Sequence, residues 1–196
     1  VRPYCLGLTG SIGMGKTTTA GFFRDLGVPV WDADAAVHRL YAPGGAAIEP
    51  VTALCPEAVG PNGIDRAVLK SWIAQDETAL QRLEGVIHPL VAQDRMAFID
   101  RTDAPLVVLD IPLLFETGAE AQLDGVLVVT VPPETQCARV LSRPGMTRAH
   151  LDRILARQVP DAEKRARADF VIETLDMDTT RRAVQNLVEK LGAKDA

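Results

Sequence analysis

Five short apolar runs recur along the chain: Tyr4–Leu8, Val28–Trp31, Leu106–Leu109, Val126–Val131 and Phe170–Ile172. Most are continuously apolar rather than alternating, the mark of strands covered on both faces. Between them the period lengthens to that of a helix. Thr17 to Leu26 puts Phe22, Phe23 and Leu26 on one side and stops at Gly27, a residue suited to ending a helix. Val184, Leu187, Val188 and Leu191 follow i, i+3, i+4, i+7 order and predict a last helix from Asp178 to Leu191. Strands alternating with helices predict an α/β fold, a parallel sheet wound on both faces.

The gap between the second and third runs, from Asp32 to Pro105, is too long for a simple crossover. It reads as helices, with Leu80, Leu83, Val86, Ile87, Leu90 and Val91 lining one face. Turn-forming clusters interrupt it at Ala42-Pro43-Gly44-Gly45 and Gly60-Pro61-Asn62-Gly63. The surplus predicts a helical insert beside the sheet, with room for a second substrate.

Composition narrows the class. A length of 196 residues suits one domain carrying an insert, and 47% hydrophobic with 24% charged residues excludes wholesale disorder. No apolar run approaches the ~18 residues of a membrane span. The segment Val1-Arg2-Pro3-Tyr4-Cys5 leaves no room for a signal peptide before the first strand. Cys5, Cys55 and Cys137 form no CxxC pair, so a reducing cytoplasm is expected rather than a disulfide framework or zinc site. A net charge of −5 argues against general affinity for nucleic acid or membranes. Yet Arg139 to Arg167 holds eight basic residues against three acidic ones, which predicts either a site for a compact polyanion or a solvated helix pair.

The chemistry starts at Gly10-Ser11-Ile12-Gly13-Met14-Gly15-Lys16-Thr17, which satisfies G-x-x-x-x-G-K-[ST] between an apolar strand and an amphipathic helix. Backbone N–H groups must turn inward around a phosphate, which needs glycines at unusual φ/ψ, and the helix N-terminus adds positive potential. Lys16 is expected to reach the β/γ-phosphates and the Thr17 hydroxyl to bind Mg²⁺. A GTPase is disfavoured, because the chain has no Asn-Lys pair and no glycine preceded at three residues by aspartate.

Ligands of open α/β sheets sit beyond the carboxyl ends of the strands. Two runs end there in acids, Asp32-Ala33-Asp34 and Asp110. In an extended segment Asp32 and Asp34 share a face, one to bind Mg²⁺ through water and the other to accept a hydroxyl proton. Asp32 and Asp110 can equally serve as cap or turn residues. After the fourth run, Pro132-Pro133-Glu134-Thr135 opens a helix on which Arg139 and Arg143 lie four apart. Pro144-Gly145 breaks it, and Thr147 can cap a second helix carrying Arg148, Arg153 and Arg157. Such a pair of helices suits a lid whose guanidinium groups stabilise a transferring phosphoryl group. His88-Pro89 falls on the apolar side of the insert, where a lone histidine is more often structural.

Assembled, these residues resemble the dephospho-CoA kinase family over nearly the whole chain. The likeness runs through the phosphate loop, Val30-Trp31-Asp32-Ala33-Asp34, Pro43-Gly44, Asp65-Arg66, Leu83-Glu84 and His88-Pro89. It continues through Asp110-Ile111-Pro112-Leu113-Leu114-Phe115-Glu116, Arg143, Arg157-Gln158 and Ala168-Asp169-Phe170-Val171-Ile172. The resemblance implies a fold like that of nucleoside monophosphate kinases: a P-loop NTPase three-layer sandwich with a five-stranded parallel sheet. A core of residues 1–34, 104–135 and 168–196 would bind ATP, residues 35–103 the CoA substrate, and residues 136–167 would form the lid.

By the same likeness Asp34 is the catalytic base, Arg143 the lid arginine, and Thr9, His88 and Glu116 surround the acceptor. The ATP set is Ser11, Ile12, Gly13, Met14, Gly15, Lys16, Thr17 and Thr18, with Arg139. Mg²⁺ falls to Thr17, with Asp32 or Asp110. Glu173-Thr174 replaces the Asp-Asn that often follows the last strand and puts a side-chain adenine contact there in doubt. The activity implied is ATP-dependent phosphorylation of the ribose 3′-hydroxyl of dephospho-CoA by a cytoplasmic monomer. Two other readings stay open: a kinase of another small hydroxyl acceptor, such as a nucleotide or sugar acid, and a nucleotide-binding module without transfer.

Overall fold

The five apolar runs form one sheet in the computed structural model, which describes residues 2–192. In chain order the elements are β1 (Tyr4–Thr9), α1 (Lys16–Asp25), β2 (Val30–Asp32), α2 (Ala33–Tyr41), α3 (Ile48–Leu54), β3 (Val59–Gly60), β4 (Gly63–Ile64), α4 (Arg66–Gln75) and α5 (Ala79–Asp100). They continue as β5 (Leu106–Asp110), β6 (Gly125–Thr130), α6 (Pro133–Leu141), α7 (Arg148–Leu155), α8 (Asp161–Arg167), β7 (Phe170–Glu173) and α9 (Met177–Gly192). The chain divides into two units; one ends at Trp31 and resumes at Thr102, and the other is Asp32–Arg101.

The first unit is built on the sheet, ordered β2-β5-β1-β6-β7. β1 pairs in parallel with β5 and β6, and β6 with β7, so that Leu8 lies beside Asp110 and Thr9 beside Val128. The carboxyl ends of these strands therefore share one edge. On one face Leu6, Leu8, Val108, Leu127 and Val129 pack with Phe22 and Phe23 of α1 and Val184, Leu187 and Leu191 of α9. Each such side chain contributes about 1.5–3 kcal/mol on burial. Across the sheet, Gly7 admits the segment after β5: a Cβ there would stand 2.4 Å from Leu123 Cδ1 and 2.7 Å from Leu114 Cδ1.

Several sequence expectations shift, each for a local reason. α1 ends in a left-handed Gly27 (φ 77), whose N–H bonds Arg24 O while the Val28 N–H bonds Phe23 O. Val28 is thus spent on ending the helix, and the strand begins at Val30 rather than Val28. Leu26, expected on the buried face of α1, lies past its last turn and is 41% exposed. β5 extends one residue further than its apolar run, so Asp110 is a strand residue and is buried.

The second unit packs Leu40, Val51, Leu69, Leu83 and Ile87 into its own core. Asp32 and Asp34 do not lie on an extended segment. The Asp32 carboxylate accepts from Ala35 N–H at 2.9 Å and caps α2, so the chain turns helical at Ala33 and Asp34 sits in the first turn. Asp65 caps α4 in the same way, through Ala67 N–H at 2.7 Å. In α5 the buried stripe is Ala79, Leu83 and Ile87; Leu80 stands one residue off it and is 47% exposed. His88, one residue past Ile87, is likewise exposed instead of lying on the apolar side. The insert is not wholly helical, because Gly60-Pro61-Asn62-Gly63 turns a short antiparallel hairpin of β3 and β4. Among the described residues no helix is long and apolar enough to cross a membrane, and Cys5, Cys55 and Cys137 are thiols rather than disulfides.

Candidate functional site

The phosphate loop leaves the sheet at the end of β1 and re-enters regular structure at Lys16. Gly13 (φ 80) and Gly15 (φ 85) adopt the left-handed conformation the motif demands. Gly15 caps α1 without a side-chain hydrogen bond, and no acidic residue sits in that first turn, so its N–H groups are suited to receive an anion. Around the loop runs an outer brace. Gln136 Nε2 donates to Ile12 O at 2.8 Å, Gln158 Oε1 accepts from Ile12 N–H at 3.3 Å, and the Thr174 hydroxyl donates to Met14 O at 2.7 Å. Val131 N–H donates to the Met14 sulfur at 3.1 Å.

This brace leaves no space for side chains at the glycines. A Cβ on Gly15 would stand 2.7 Å from Thr174 Oγ1, and one on Gly13 2.6 Å from Val140 Cγ2. Gly15→Ala is therefore expected to weaken ATP binding at least about tenfold, since the left-handed backbone alone costs a residue with a side chain about 1–2 kcal/mol. Gly21→Ala, in the same region of chain but open to space, is the control and should leave binding unchanged. Calorimetric titration with a non-hydrolysable ATP analogue reads both.

Lys16 Nζ is drawn to Asp110 Oδ1 at the end of β5, a contact that joins the loop to the neighbouring strand. Asp110 is buried and Lys16 largely so, while Thr17 is exposed in the first turn of α1. Among the described residues no three His, Cys, Asp or Glu side chains gather as a metal cage. Thr17 beside this ion pair fits an ion that brings most of its ligands with it, as Mg²⁺ does on a polyphosphate.

Beside the loop opens a pocket of about 370 Å³, lined by Gly13, Gly15, Thr18, Thr19, Arg139, Arg143, Thr174, Met177 and Thr180. It joins the phosphate loop to Arg139 of α6 and to Arg143 just past the end of that helix. Arg139 donates to Thr174 O at 2.7 Å and to its hydroxyl at 3.3 Å. Thr174 therefore touches the loop, Arg139 and the pocket at once. Met177, Thr180 and Gln136 carry no signature in sequence, whereas Gln158 belongs to the Arg157-Gln158 element of the likeness. Thr174 has a signature: it is the first residue past the carboxyl end of β7, where ligands of such sheets bind.

The remaining candidates do not line this pocket. Ser11 and Thr9 are buried, and the Thr9 hydroxyl donates to Pro112 O at 3.2 Å. Glu116, on the segment after β5, accepts from Val159 N–H at 2.8 Å and pairs with Lys164 at 2.9 Å. Lys164 was counted with the basic block, yet it is buried. Arg148 is engaged with Asp152 at 3.1 Å and Thr147 caps α7 through His150 N–H. Asp34 and His88 belong to the second unit, both exposed, and Asp32 is occupied as the cap of α2.

The dephospho-CoA kinase family model matches residues 4–178. A dephospho-CoA kinase of Cereibacter sphaeroides is 59% identical over 188 residues, covering 96% of this chain and 95% of that one. One from Jannaschia sp. is 59% identical over 189 residues, covering 96% and 97%. A crystal structure of a Thermus thermophilus protein is 38% identical, with a TM-score of 0.85 over 97% of this chain and 98% of that one.

Proposed function

The chain belongs to the dephospho-CoA kinase family, and from that footing we propose how its own residues carry the phosphorylation of dephospho-CoA to CoA with ATP as donor. The observation that carries the reading is the glycine loop with Gly13 and Gly15 at positive φ, opening on the Arg139–Thr174 pocket, with Lys16 held at Asp110. The loop amides from Ser11 to Thr18 receive the phosphates, and the pocket by Arg139, Thr174 and Thr180 receives the adenosine end. Lys16 leaves Asp110 far enough to follow the β/γ-phosphates.

In the transfer, the ribose 3′-oxygen of dephospho-CoA attacks the γ-phosphorus as the bond to the β–γ bridging oxygen breaks, and ADP departs. Asp34 orients the hydroxyl and takes its proton. Arg143, exposed at the pocket's rim, neutralises charge on the equatorial oxygens, where a planar guanidinium is most effective. Mg²⁺ would be held by Thr17, with Asp32 or with Asp110, which meets Lys16 of the loop, and would neutralise the triphosphate. Thr9, His88 and Glu116 address the acceptor, residues 35–103 supply its binding surface, and residues 136–167 act as the lid. A reducing cytoplasmic setting belongs to the same reading and rests on three cysteines that form no disulfide.

Relatives at 59% identity do not favour the other readings, a different hydroxyl acceptor or a non-transferring module. A coupled ADP-release assay tests this directly. Turnover is expected only when dephospho-CoA is added; comparable ADP release with nucleoside monophosphates or sugar acids would overturn the assignment.

A further inference from the structure

Lys164 differs from the other basic residues of its segment. Its side chain has no solvent exposure, and its ammonium stands 2.9 Å from Glu116 Oε1. Arg148, by contrast, pairs with Asp152 at the surface. A buried ammonium is tolerated only with a counter-charge in place, so the position of Glu116 and the burial of Lys164 are one feature. Three further contacts hold the same two segments together. Arg167 of α8 stacks over the Phe115 ring at 4.5 Å, and it pairs with Glu120. The Val159 N–H, at the approach to α8, donates to Glu116 Oε1 at 2.8 Å.

The two oxygens of Glu116 are thus unequal. Oε1 is occupied by the ion pair with Lys164 and the bond from Val159 N–H, whereas Oε2 is buried and, like the Lys164 ammonium, has no hydrogen-bond partner of good geometry among the described residues. Burial acts to raise the carboxyl's pKa, but the bond from Lys164 and those from the Glu116 and Val159 amides outweigh it and hold it below the usual carboxylate range. The charged groups nearby are Lys164 and Arg167 from α8 and Glu120 from its own segment, the last two engaged with each other. An ionised oxygen left without a donor is costly inside a protein, and a ligand hydroxyl or amide that supplies one recovers that cost.

We propose that Lys164 is a positioning residue for the acceptor: by pairing with Oε1 it fixes Glu116 in charge and orientation, and leaves Oε2 to receive a donor group of dephospho-CoA. The proposal rests on the reading that Glu116 addresses the acceptor. Since α8 and Val159 follow the lid helices directly, the same pair ties the end of the lid segment to the acceptor's recognition.

Steady-state kinetics on Lys164→Met, Lys164→Arg, Glu116→Gln and the double variant Lys164→Met with Glu116→Gln test it, alongside melting temperatures. Lys164→Met is expected to raise KM for dephospho-CoA about tenfold or more, as loss of a charge-assisted hydrogen bond would. Its kcat and its KM for ATP should stay near wild type. Without the ammonium, burial is opposed only by the Glu116 and Val159 amides, so this variant's kcat/KM for dephospho-CoA should fall more than the wild type's as pH drops from about 8 to about 6. Lys164→Arg should restore most of the loss. The double variant buries no charge and should regain thermal stability while keeping the high KM.

If Glu116→Gln raises KM but Lys164→Met or the double variant does not, Lys164 is a structural staple and the proposal fails alone. If Glu116→Gln itself keeps the wild-type KM while ATP-dependent turnover continues, the placement of Glu116 at the acceptor fails first. Should Lys164→Met not fold, the double variant's KM decides.

Discussion

Lys16→Met is expected to lower kcat roughly 10²–10³-fold, the usual loss on removing one preorganised donor from a developing oxyanion. Phosphoryl transfer passes through a loose transition state with charge spread over the equatorial oxygens, so positioning and neutralisation carry most of the catalysis. Lys16 is the cation anchored at the loop itself. Its removal has a second consequence, because Asp110 is 3% exposed and would lose the ammonium that meets its Oδ1. Removing one partner of a buried ion pair costs about 3 kcal/mol or more, so the variant should also melt at lower temperature. Adding Asp110→Asn separates the effects: the double variant should regain stability without regaining kcat. A Lys16→Met enzyme within tenfold of wild type would remove Lys16 from the transfer step.

The second large effect is at Asp34. Asp34→Asn is expected to reduce kcat by about 10²–10⁴-fold, the range of a general base, with the Michaelis constants for both substrates changed little. The substitution keeps size and hydrogen-bonding shape and removes only the capacity to take the proton. Asp34 is exposed in the first turn of α2, so the fold loses just the favourable carboxylate at a helix N-terminus, worth about 0.3–1 kcal/mol. Asp34→Glu restores the charge on a longer stem. It should recover little activity if orientation of the hydroxyl matters as much as basicity, as a loose transition state requires. Near-full turnover by Asp34→Asn would exclude it as the base.

The parts of the site legible in sequence are those whose chemistry is local. Glycines at 13 and 15 announce a backbone that only glycine adopts easily, and Lys16-Thr17 follow within the same turn. Arg139 and Arg143 both reach the pocket because four-residue spacing keeps them on one side as the helix ends. Where local reading went astray, a cap or terminator had taken the residue. Asp32 caps α2 and so breaks the extended pair with Asp34, and Val28 closes the end of α1 instead of opening a strand. Periodicity cannot foresee either, since it records which side is apolar and not which backbone groups need a partner.

The sequence by itself determined the phosphate loop, the alternation of strands and helices, the insert and the family, because each is written in contiguous residues. Only the tertiary structure decided the contacts between distant ones. Lys16 meets Asp110 because β5 lies next to β1 in the sheet, and Thr174 meets Met14 because β7 ends at the same edge. Lys164, one more cation in a basic stretch when read along the chain, turns out to be buried against Glu116. Strand order and burial emerge from how the whole chain packs, so which charges face water and which face each other is settled only after folding.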